Sequence, residues 1–536
     1  MMKKIRINKI NTLVILITIM HFLITFFTDK NIFSLSSINK LNYSLCKILL
    51  FIILLLFWNF VVKLIIKKDK DKKMYIKYFL IYIIPMTIIL LLIWPGVWYG
   101  SDVTNFFWIS TGAEYLYYLN YMTSVFYIIG FMIFPISSGA IILQTILYGI
   151  LCSYIIKNCF DIYKSKWVYL MYLPFFLFHT IFYTFYANRP IMYSAFYLLI
   201  LMYMIFEYKK NGKYNIKKIV FLSIMTAIAG FWRSESIYLI ICIPILTFIM
   251  YHIKVNIKNI IKIFGIFILS FVIISLPQKI KEYNENTDVP SSRNLPIFVG
   301  PLSYMLSQGN LVGKDLEYNL SNIDKVIDIE IMTKYGSYMD TPAIWSDGGC
   351  IKEYTNEEYD LFLKSYMEVI KDNFPLFLKT KTYTFMAASG VFNEGFTSID
   401  LYTKDNDLLF GRKDTKALFG NKIRKNTMKI IEGKFNNDGN LNIFYRFFGN
   451  LLWPIFFIGI SFICAIKKRN SFYLLLFGMM LVHVCIVFFT APASYFMYYY
   501  NIYLCGWVLA IYFLISFLRE RYSLIKKSNK SSIFIR

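Results

Sequence analysis

Long apolar runs are the feature that most constrains the fold of this 536-residue chain. A helix needs about 20 mostly apolar residues to cross roughly 30 Å of hydrocarbon, and such runs recur along most of the sequence. Apolar residues make up 57% of the chain and charged residues only 17%, against roughly 25% charged residues in an ordinary soluble protein. The composition therefore predicts an all-α polytopic membrane protein and excludes a cytosolic enzyme.

About twelve of these runs are predicted to be membrane spans. They lie at 10–27, 46–66, 78–94, 139–157, 167–186, 190–206, 217–232, 236–252, 260–277, 446–466, 471–489 and 496–517. A thirteenth run, 119–136, is ambiguous, and the distribution of Lys and Arg decides how it is placed. If 119–136 does not cross, about 30 basic residues fall in cytoplasmic segments and about four in the short outer loops, as the positive-inside rule requires.

This charge distribution predicts the topology. Residues 95–138 form one long outer loop with a re-entrant or interfacial helix, and both termini are cytoplasmic. The net charge of +25 then belongs to cytoplasmic loops and gives no reason to expect a nucleic-acid partner. The polar stretch 278–440 has the length of a domain and is predicted to be a mainly helical extracytoplasmic domain. It separates about nine spans in 1–277 from three C-terminal spans and a basic tail in 441–536.

One helix inside the polar stretch is predicted from its own pattern. Thr355 and Glu358 have the spacing of a capping box. Apolar residues then recur at helical spacing from Tyr359 to Ile370, and Pro375 follows shortly after. We expect an amphipathic helix that begins at the capping box and ends before Pro375.

The strongest candidate for chemistry is Asp102, which follows the Pro95-Gly96 end of the third span. Its neighbours in the sequence are aromatic: Trp98, Tyr99, Phe106, Phe107 and Trp108. A carboxylate among apolar rings at a membrane surface is unfavourable unless it is partnered, and desolvation raises its pKa and makes it a better proton acceptor. Asp102 is therefore either catalytic or the N-cap of a helix over 103–113. Glu114, in the same loop, is either a substrate contact or a charge shown to water.

Charges at the outer ends of later spans form a second candidate group. Arg233 and Glu235, between spans seven and eight, are either a local ion pair or a site where Arg233 holds a phosphate through charge-assisted hydrogen bonds. Arg189, between spans five and six, has the same two interpretations. The aromatic cluster that starts at Tyr495 is either an interfacial belt or a substrate contact. The sequence lacks zinc, Walker and dinucleotide motifs, so it predicts no cofactor and leaves a divalent metal open.

Taken together, these features resemble the GT-C superfamily of integral-membrane glycosyltransferases, and in particular a bacterial branch with a large outer domain before the last spans. The matching features are Pro95-Gly96…Asp102, the interfacial helix after it, Gln144 in the fourth span, Arg233, Tyr335-Gly336-Ser337-Tyr338…Asp347 and Asp372-Asn373-Phe374-Pro375. The chain departs from the superfamily at Asn188-Arg189, where a second acidic residue is frequent, and at Ser494-Tyr495, where an Arg-Tyr pair is frequent.

The resemblance implies sugar transfer on the outer face of the cell membrane. The donor would be a polyprenyl-phosphate-linked sugar, and the acceptor a cell-envelope glycan, a lipid-linked glycan or a protein. Asp102 would take the proton from the acceptor hydroxyl in an inverting displacement, while Arg189 and Arg233 would stabilise the leaving phosphate. The remaining predicted substrate contacts are Glu235, Glu114 and Tyr495. Two other functions stay open: a transporter or flippase of a lipid-linked or polymer substrate, and a non-catalytic anchor for wall-assembly proteins.

Overall fold

Helices make up almost all of the regular structure of this chain. The computed structural model describes residues 2–67, 70–98, 101–284, 289–391, 412–433 and 443–533. Within these ranges the β-type pairings are two isolated bridges, Val97–Tyr186 and Ile327–Ile351. The all-α, multi-pass character predicted from composition is thus confirmed.

The α-helices are numbered in chain order. The first eleven are α1 (Met2–Thr28), α2 (Lys40–Lys67), α3 (Lys70–Leu92), α4 (Ser101–Thr111), α5 (Tyr121–Ile133), α6 (Gly139–Tyr163), α7 (Phe178–Thr184), α8 (Arg189–Lys209), α9 (Ile216–Trp232), α10 (Leu239–Met250) and α11 (Ile257–Asn284). The others are α12 (Val289–Ser307), α13 (Leu316–Asp324), α14 (Ile329–Lys334), α15 (Asn356–Asp372), α16 (Phe374–Ala388), α17 (Asn421–Ile431), α18 (Ile443–Gly449), α19 (Leu452–Lys467), α20 (Ser471–Thr490) and α21 (Tyr500–Ile533).

Fewer membrane spans are counted from the lengths of the helices than were predicted from the apolar runs of the sequence. Among the described residues, eight helices are long and apolar enough to cross a membrane. Two bent pairs, Lys166–Phe176 with α7 and α18 with α19, raise the number to ten if each pair is one span. The remaining predicted spans, 217–232 and 236–252, correspond to α9 with 17 residues and α10 with 12. The total of twelve therefore stays a prediction.

The spanning helices form a buried centre and an exposed periphery. The apolar stretches of α6, α8 and α21 are mostly buried, whereas less than a quarter of each of the stretches in α1, α2, α3 and α11 is buried. On α2, for example, the Ile48 side chain is 60% exposed and Leu56 is 63% exposed. Such continuous apolar faces are unfavourable in water and favourable in hydrocarbon. The peripheral helices are therefore suited to a lipid environment.

The predicted outer loop 95–138 contains two short helices, α4 and α5. The Ser138 hydroxyl donates a hydrogen bond to the Pro95 carbonyl at 2.8 Å, so the two ends of the loop lie side by side. At about 1.5 Å per residue, the 13 residues of α5 span about 20 Å, less than the roughly 30 Å of a hydrocarbon core. The loop therefore begins and ends on the same side of the bundle. That this side faces outward stays a prediction.

Helices α12 to α16 form a polar lobe with a hydrophobic core of its own, built from residues such as Leu302, Val326 and Phe362. Helix α15 begins at the predicted capping box. The Thr355 hydroxyl accepts from the Glu358 backbone N–H, and the Glu358 carboxylate accepts from the Thr355 N–H at 2.8 Å. The amphipathic helix predicted before Pro375 is therefore confirmed.

Residues 412–433 belong to the same polar stretch in sequence but contact the helix bundle. The Asp414 carboxylate accepts from the Ser137 backbone N–H at 2.6 Å, and its carbonyl accepts from the Trp94 indole at 2.6 Å. The Arg424 guanidinium, from α17, donates to the Gly96 carbonyl at 3.3 Å. This segment therefore packs over the end of α3 and the two ends of the loop 95–138.

The polar lobe meets the bundle at the turn between α20 and α21. Both the backbone N–H and the hydroxyl of Ser494 donate to the Met339 carbonyl, at 2.8 and 2.9 Å. A Cβ atom on Gly300 would lie 2.1 Å from the Pro492 carbonyl oxygen, so only glycine allows this approach. The lobe is thus attached directly before the Tyr495 aromatic cluster.

A buried lysine lies at this junction. Lys381, on α16, is 1% exposed, and its Nζ donates to the Ala491 carbonyl at 2.9 Å. Burial lowers its pKa from 10.5 to about 7, because desolvation disfavours the charged amine. Between pH 7 and 10.5 the unfolded chain therefore binds more protons than the folded one, and stability rises with pH across this window.

We expect Lys381→Met to raise the melting temperature near pH 7 and to reduce this rise with pH. Each pKa unit corresponds to about 1.4 kcal/mol, so the difference amounts to several kcal/mol. Thermal unfolding in detergent between pH 6.5 and 9.5 measures it. Lys379→Met, at an exposed position of the same helix, is the control and should keep the wild-type slope. An unchanged slope in Lys381→Met would contradict the expected titration of the buried amine.

Candidate functional site

The segments that carry Asp102 and Arg189 run side by side. The Val97 backbone N–H donates to the Phe185 carbonyl at 2.9 Å and forms part of the isolated parallel bridge between the two segments. Asp102 follows this bridge at the start of α4, and Arg189 follows it at the start of α8. Two residues far apart in sequence thereby reach the same end of the bundle.

Asp102 lies within the first turn of α4, which begins at Ser101, so it is part of the helix and does not precede it as an N-cap. Its carboxylate is favourable at this helix end because of the helix dipole. Burial raises the pKa of the Asp102 carboxyl above its ordinary 3.8, and the positive charge of Arg189 opposes part of that rise. The described part of the chain supplies no hydrogen bond to this carboxylate.

Arg189 is held by the polar groups around the start of α8. The Asn188 side chain caps the helix by accepting from the Arg189 backbone N–H at 2.7 Å. The Arg189 Nη1 donates to the Leu119 carbonyl at 3.1 Å, in the loop 95–138. The guanidinium is therefore fixed between that loop and α8, close enough to Asp102 to act on its ionisation.

Arg233 and Glu235 form the predicted local ion pair within the 3₁₀ turn Ser234–Ser236 and its preceding residue. The Arg233 Nε donates to the Glu235 carboxylate at 3.1 Å, and Nη2 donates to the other carboxylate oxygen. The Arg233 side chain is only 7% exposed. Its Nη1 is buried and has no hydrogen-bond partner in the described part of the chain. A buried guanidinium N–H without a partner calls for an explanation, and an anionic ligand would supply one.

Tyr498 connects these charges. It lies in the 3₁₀ turn Phe496–Tyr499, and the guanidinium carbon of Arg233 is 5.5 Å from its ring centroid, within the range of a cation–π contact. Four charged side chains act electrostatically on the Tyr498 hydroxyl: Arg233, Arg189, Glu235 and Asp102. These four predicted residues therefore lie within electrostatic range of one tyrosine, and the five residues together are called the candidate site.

Two other predicted residues lie elsewhere or at the edge. The Glu114 carboxylate is exposed and accepts from the Asn39 amide at 3.1 and 3.2 Å, at the opposite end of α4 from Asp102. Tyr495 is a neighbour of the site, because its ring centroid is 6.0 Å from that of Tyr498. Its hydroxyl donates to the Asp340 carboxylate of the polar lobe at 2.6 Å.

The sequence analysis did not single out Tyr498. It belongs to a run of six residues, 495–500, five of which are aromatic, and nothing in the pattern distinguishes it from its neighbours. Its contact with Arg233 joins the segment after α9 to the turn before α21, so only tertiary structure shows it.

The charges of the candidate site sum to zero, but its two carboxylates differ in how closely they are paired with an arginine. Glu235 is bound by Arg233, whereas Asp102 has only the longer-range attraction of Arg189.

No family model, curated protein or solved structure matches this chain. Among the described residues, no three His, Cys, Asp or Glu side chains are grouped so that they could hold a metal ion. The candidate site therefore combines a partly buried carboxyl with a buried guanidinium that has an unpartnered N–H among the described residues.

An apolar cavity of about 440 Å³ opens between the bent pair Lys166–Phe176 and α7 on one side and α18 and α21 on the other. Its lining is Leu173, Pro174, Phe176, Leu177, Phe178, Phe444, Phe448, Trp507 and Ile511. His179, next to Phe178 in the cavity wall, lies 4.9 Å ring to ring from Phe496. Phe496 starts the turn that carries Tyr498, although neither His179 nor Phe496 lines the cavity itself.

Proposed function

We propose that this chain is a membrane glycosyltransferase that moves a sugar from a polyprenyl-phosphate donor to an acceptor on the outer face of the membrane. In this proposal about twelve spans hold the candidate site outward, together with the polar stretch 278–440. The observation that carries the proposal is that the candidate site contains both a desolvated carboxyl and a buried guanidinium. Asp102 is a desolvated carboxyl without a hydrogen bond from the described residues. Arg233 has a buried N–H without a partner among those residues, and both side chains act electrostatically on Tyr498.

The proposed reaction is a direct displacement at the anomeric carbon. The acceptor oxygen forms a bond to that carbon while the bond from carbon to the phosphate oxygen breaks. Asp102 accepts the proton of the acceptor hydroxyl and later releases it to water. Arg189 and the free N–H of Arg233 stabilise the negative charge that develops on the leaving phosphate. One inverting step moves the sugar and needs no oxidant or reductant.

The apolar cavity supports a lipid-linked donor. Its wall is almost entirely apolar, and a chain of hydrocarbon units fits such a wall better than a hydrated sugar does. His179, which follows Phe178 of the cavity lining, contacts Phe496, and Phe496 precedes Tyr498 by two residues. A transporter or flippase would use the same lipid-linked molecule without breaking its sugar–phosphate bond, and so the test must detect transfer itself.

A comparison of cell-envelope glycans by mass spectrometry tests the proposal. We expect one defined sugar addition in cells with the intact chain and its loss in cells that carry Asp102→Asn at equal membrane levels. Identical glycans in both strains would overturn the proposal. Vesicles that contain the purified chain and move a labelled lipid-linked sugar without transferring it would favour the flippase instead.

The pH profile of transfer gives a second test of the Asp102 role. Only the ionised carboxylate accepts a proton, so activity should rise with pH through the raised pKa of Asp102. Arg189 lowers that pKa, and Arg189→Gln should therefore move the acid limb of the profile to higher pH. Arg189→Lys keeps the charge and should leave the limb near its wild-type position. An acid limb that Arg189→Gln leaves in place would argue against titration of Asp102.

A further inference from the structure

A network of buried polar side chains lies directly beneath the candidate site. The hydroxyls of Tyr193 and Ser236 share a hydrogen bond. The Asn501 amide nitrogen contacts the Tyr193 hydroxyl at 3.2 Å and His483 Nε2 at 2.9 Å. All four side chains are at most 3% exposed. Polar groups at such depth in a membrane bundle are expensive unless they satisfy one another, and they are functional by default.

Each of three network members lies one turn from a residue of the candidate site. The pairs are Arg189 and Tyr193 in α8, Arg233 and Ser236 in the 3₁₀ turn, and Tyr498 and Asn501 at the start of α21. In a helix, residues that are three or four apart share a face. The network therefore links, from below, the same three elements whose charged and aromatic residues meet above it.

This network can fix the position of Arg233 relative to the other residues of the candidate site. The ion pair with Glu235 is internal to one short turn, so it orients the guanidinium within that turn and not relative to the rest of the site. The hydrogen bond between Ser236 and Tyr193 joins the turn to α8, which carries Arg189. Asn501 then joins Tyr193 to α21, whose first turn follows Tyr498.

We propose that Tyr193 is a positioning residue that holds the Arg233 turn in register with Arg189 and Tyr498. The inference rests on the proposed function only in that the ligand of Arg233 would be the donor phosphate. Tyr193 touches neither substrate nor reacting atoms. Its hydroxyl, at the centre of the network, fixes where the unused N–H of Arg233 lies.

The first test needs no substrate. Phenylglyoxal modifies arginine side chains, and peptide mass spectrometry gives the modification rate of Arg233. We expect Tyr193→Phe and Ser236→Ala each to speed the reaction at Arg233 about tenfold, since each breaks the same buried hydrogen bond. Tyr193→Phe also removes the acceptor of the Asn501 amide, so the double variant should react no faster than Tyr193→Phe alone, because Ser236→Ala then removes no further interaction. Tyr172→Phe, which loses a buried hydrogen bond to the Tyr78 carbonyl, is the control and should leave Arg233 unchanged.

A second readout separates positioning from simple loss of folded protein. In the transfer assay, Tyr193→Phe should raise the KM for the polyprenyl-phosphate donor about tenfold, because the contact of Arg233 with the bound phosphate weakens, and kcat should fall as well, because Arg233 also stabilises the leaving phosphate. A merely structural role would lower the amount of active enzyme and leave KM unchanged, which would overturn the proposal.

The outcomes separate the two proposals. Wild-type modification rates at Arg233 in both Tyr193→Phe and Ser236→Ala would overturn the positioning role, whatever the transfer assay gives. Faster modification in a chain that transfers no sugar would refute the glycosyltransferase and support the positioning of Arg233 for a different anionic ligand.

Discussion

Asp102→Asn is expected to reduce sugar transfer by about 10²–10⁴-fold, the usual contribution of a general base. The amide has nearly the same size as the carboxyl but cannot accept the proton of the acceptor hydroxyl. Folding should be retained, because the described residues make no hydrogen bond to this carboxylate that the amide would lose. Removal of a desolvated charge is, if anything, favourable to stability. Initial rates with saturating donor and acceptor measure the effect.

The matched control is Asp360→Asn. Asp360 is an exposed carboxylate on α15 in the polar lobe, so this variant makes the same chemical change away from the candidate site. Its rate should equal that of the wild type. Transfer by Asp102→Asn at the wild-type rate, with the same amount of folded protein, would remove Asp102 from the mechanism and leave the arginines as an anion site of another kind.

Arg233→Gln is expected to cause the largest combined loss of stability and activity. The change leaves the Glu235 carboxylate buried without its partner, which in comparable cases destabilises a protein by about 3–5 kcal/mol. It also removes the proposed phosphate contact, and a charge-assisted hydrogen bond of about 1.5–3 kcal/mol corresponds to about 10–100-fold in donor affinity. The melting temperature in detergent and the KM for the donor measure the two effects separately.

A double variant separates the structural role of the pair from its binding role. Arg233→Gln with Glu235→Gln removes both charges, so neither is left buried and unpaired, and the melting temperature should return close to that of the wild type. The KM for the donor should stay raised, because the guanidinium is still absent. Wild-type KM in the double variant would show that the pair only stabilises the turn and that the phosphate is held elsewhere.

Local sequence patterns predicted the parts of the fold that depend on neighbouring residues. The capping box at Thr355 and Glu358 predicted the start of α15, since both partners lie within one helical turn. The Arg233–Glu235 ion pair, one of the two interpretations that the sequence left open, is local in the same way, because its members are two residues apart. The length of apolar runs predicted the spanning helices, but α10 is shorter than its apolar run, because the 3₁₀ turn Ser234–Ser236 comes before it.

Four of the five members of the candidate site were predicted from the sequence, but Tyr498 and the arrangement of the five were not. Asp102 and Arg189 were expected to meet because both were assigned to outer loops, and they do influence each other. Glu114 was expected in the same group, yet Asn39 holds it at the other end of α4. A helix places residues on its ends and faces, but which end meets which neighbour depends on how the helices pack.

The sequence by itself determined that this chain folds as a helical membrane protein, because apolar run length and charge distribution are local quantities that the bilayer constrains directly. It also identified the charged residues that a membrane bundle does not tolerate without a reason. Only the tertiary structure showed that Tyr498 lies within electrostatic range of these charges, that Tyr193 shares a buried hydrogen bond with Ser236 next to them, and that Lys381 is buried at the lobe junction. Each of these rests on contacts between helices distant in sequence, and such contacts have no periodic pattern in the chain.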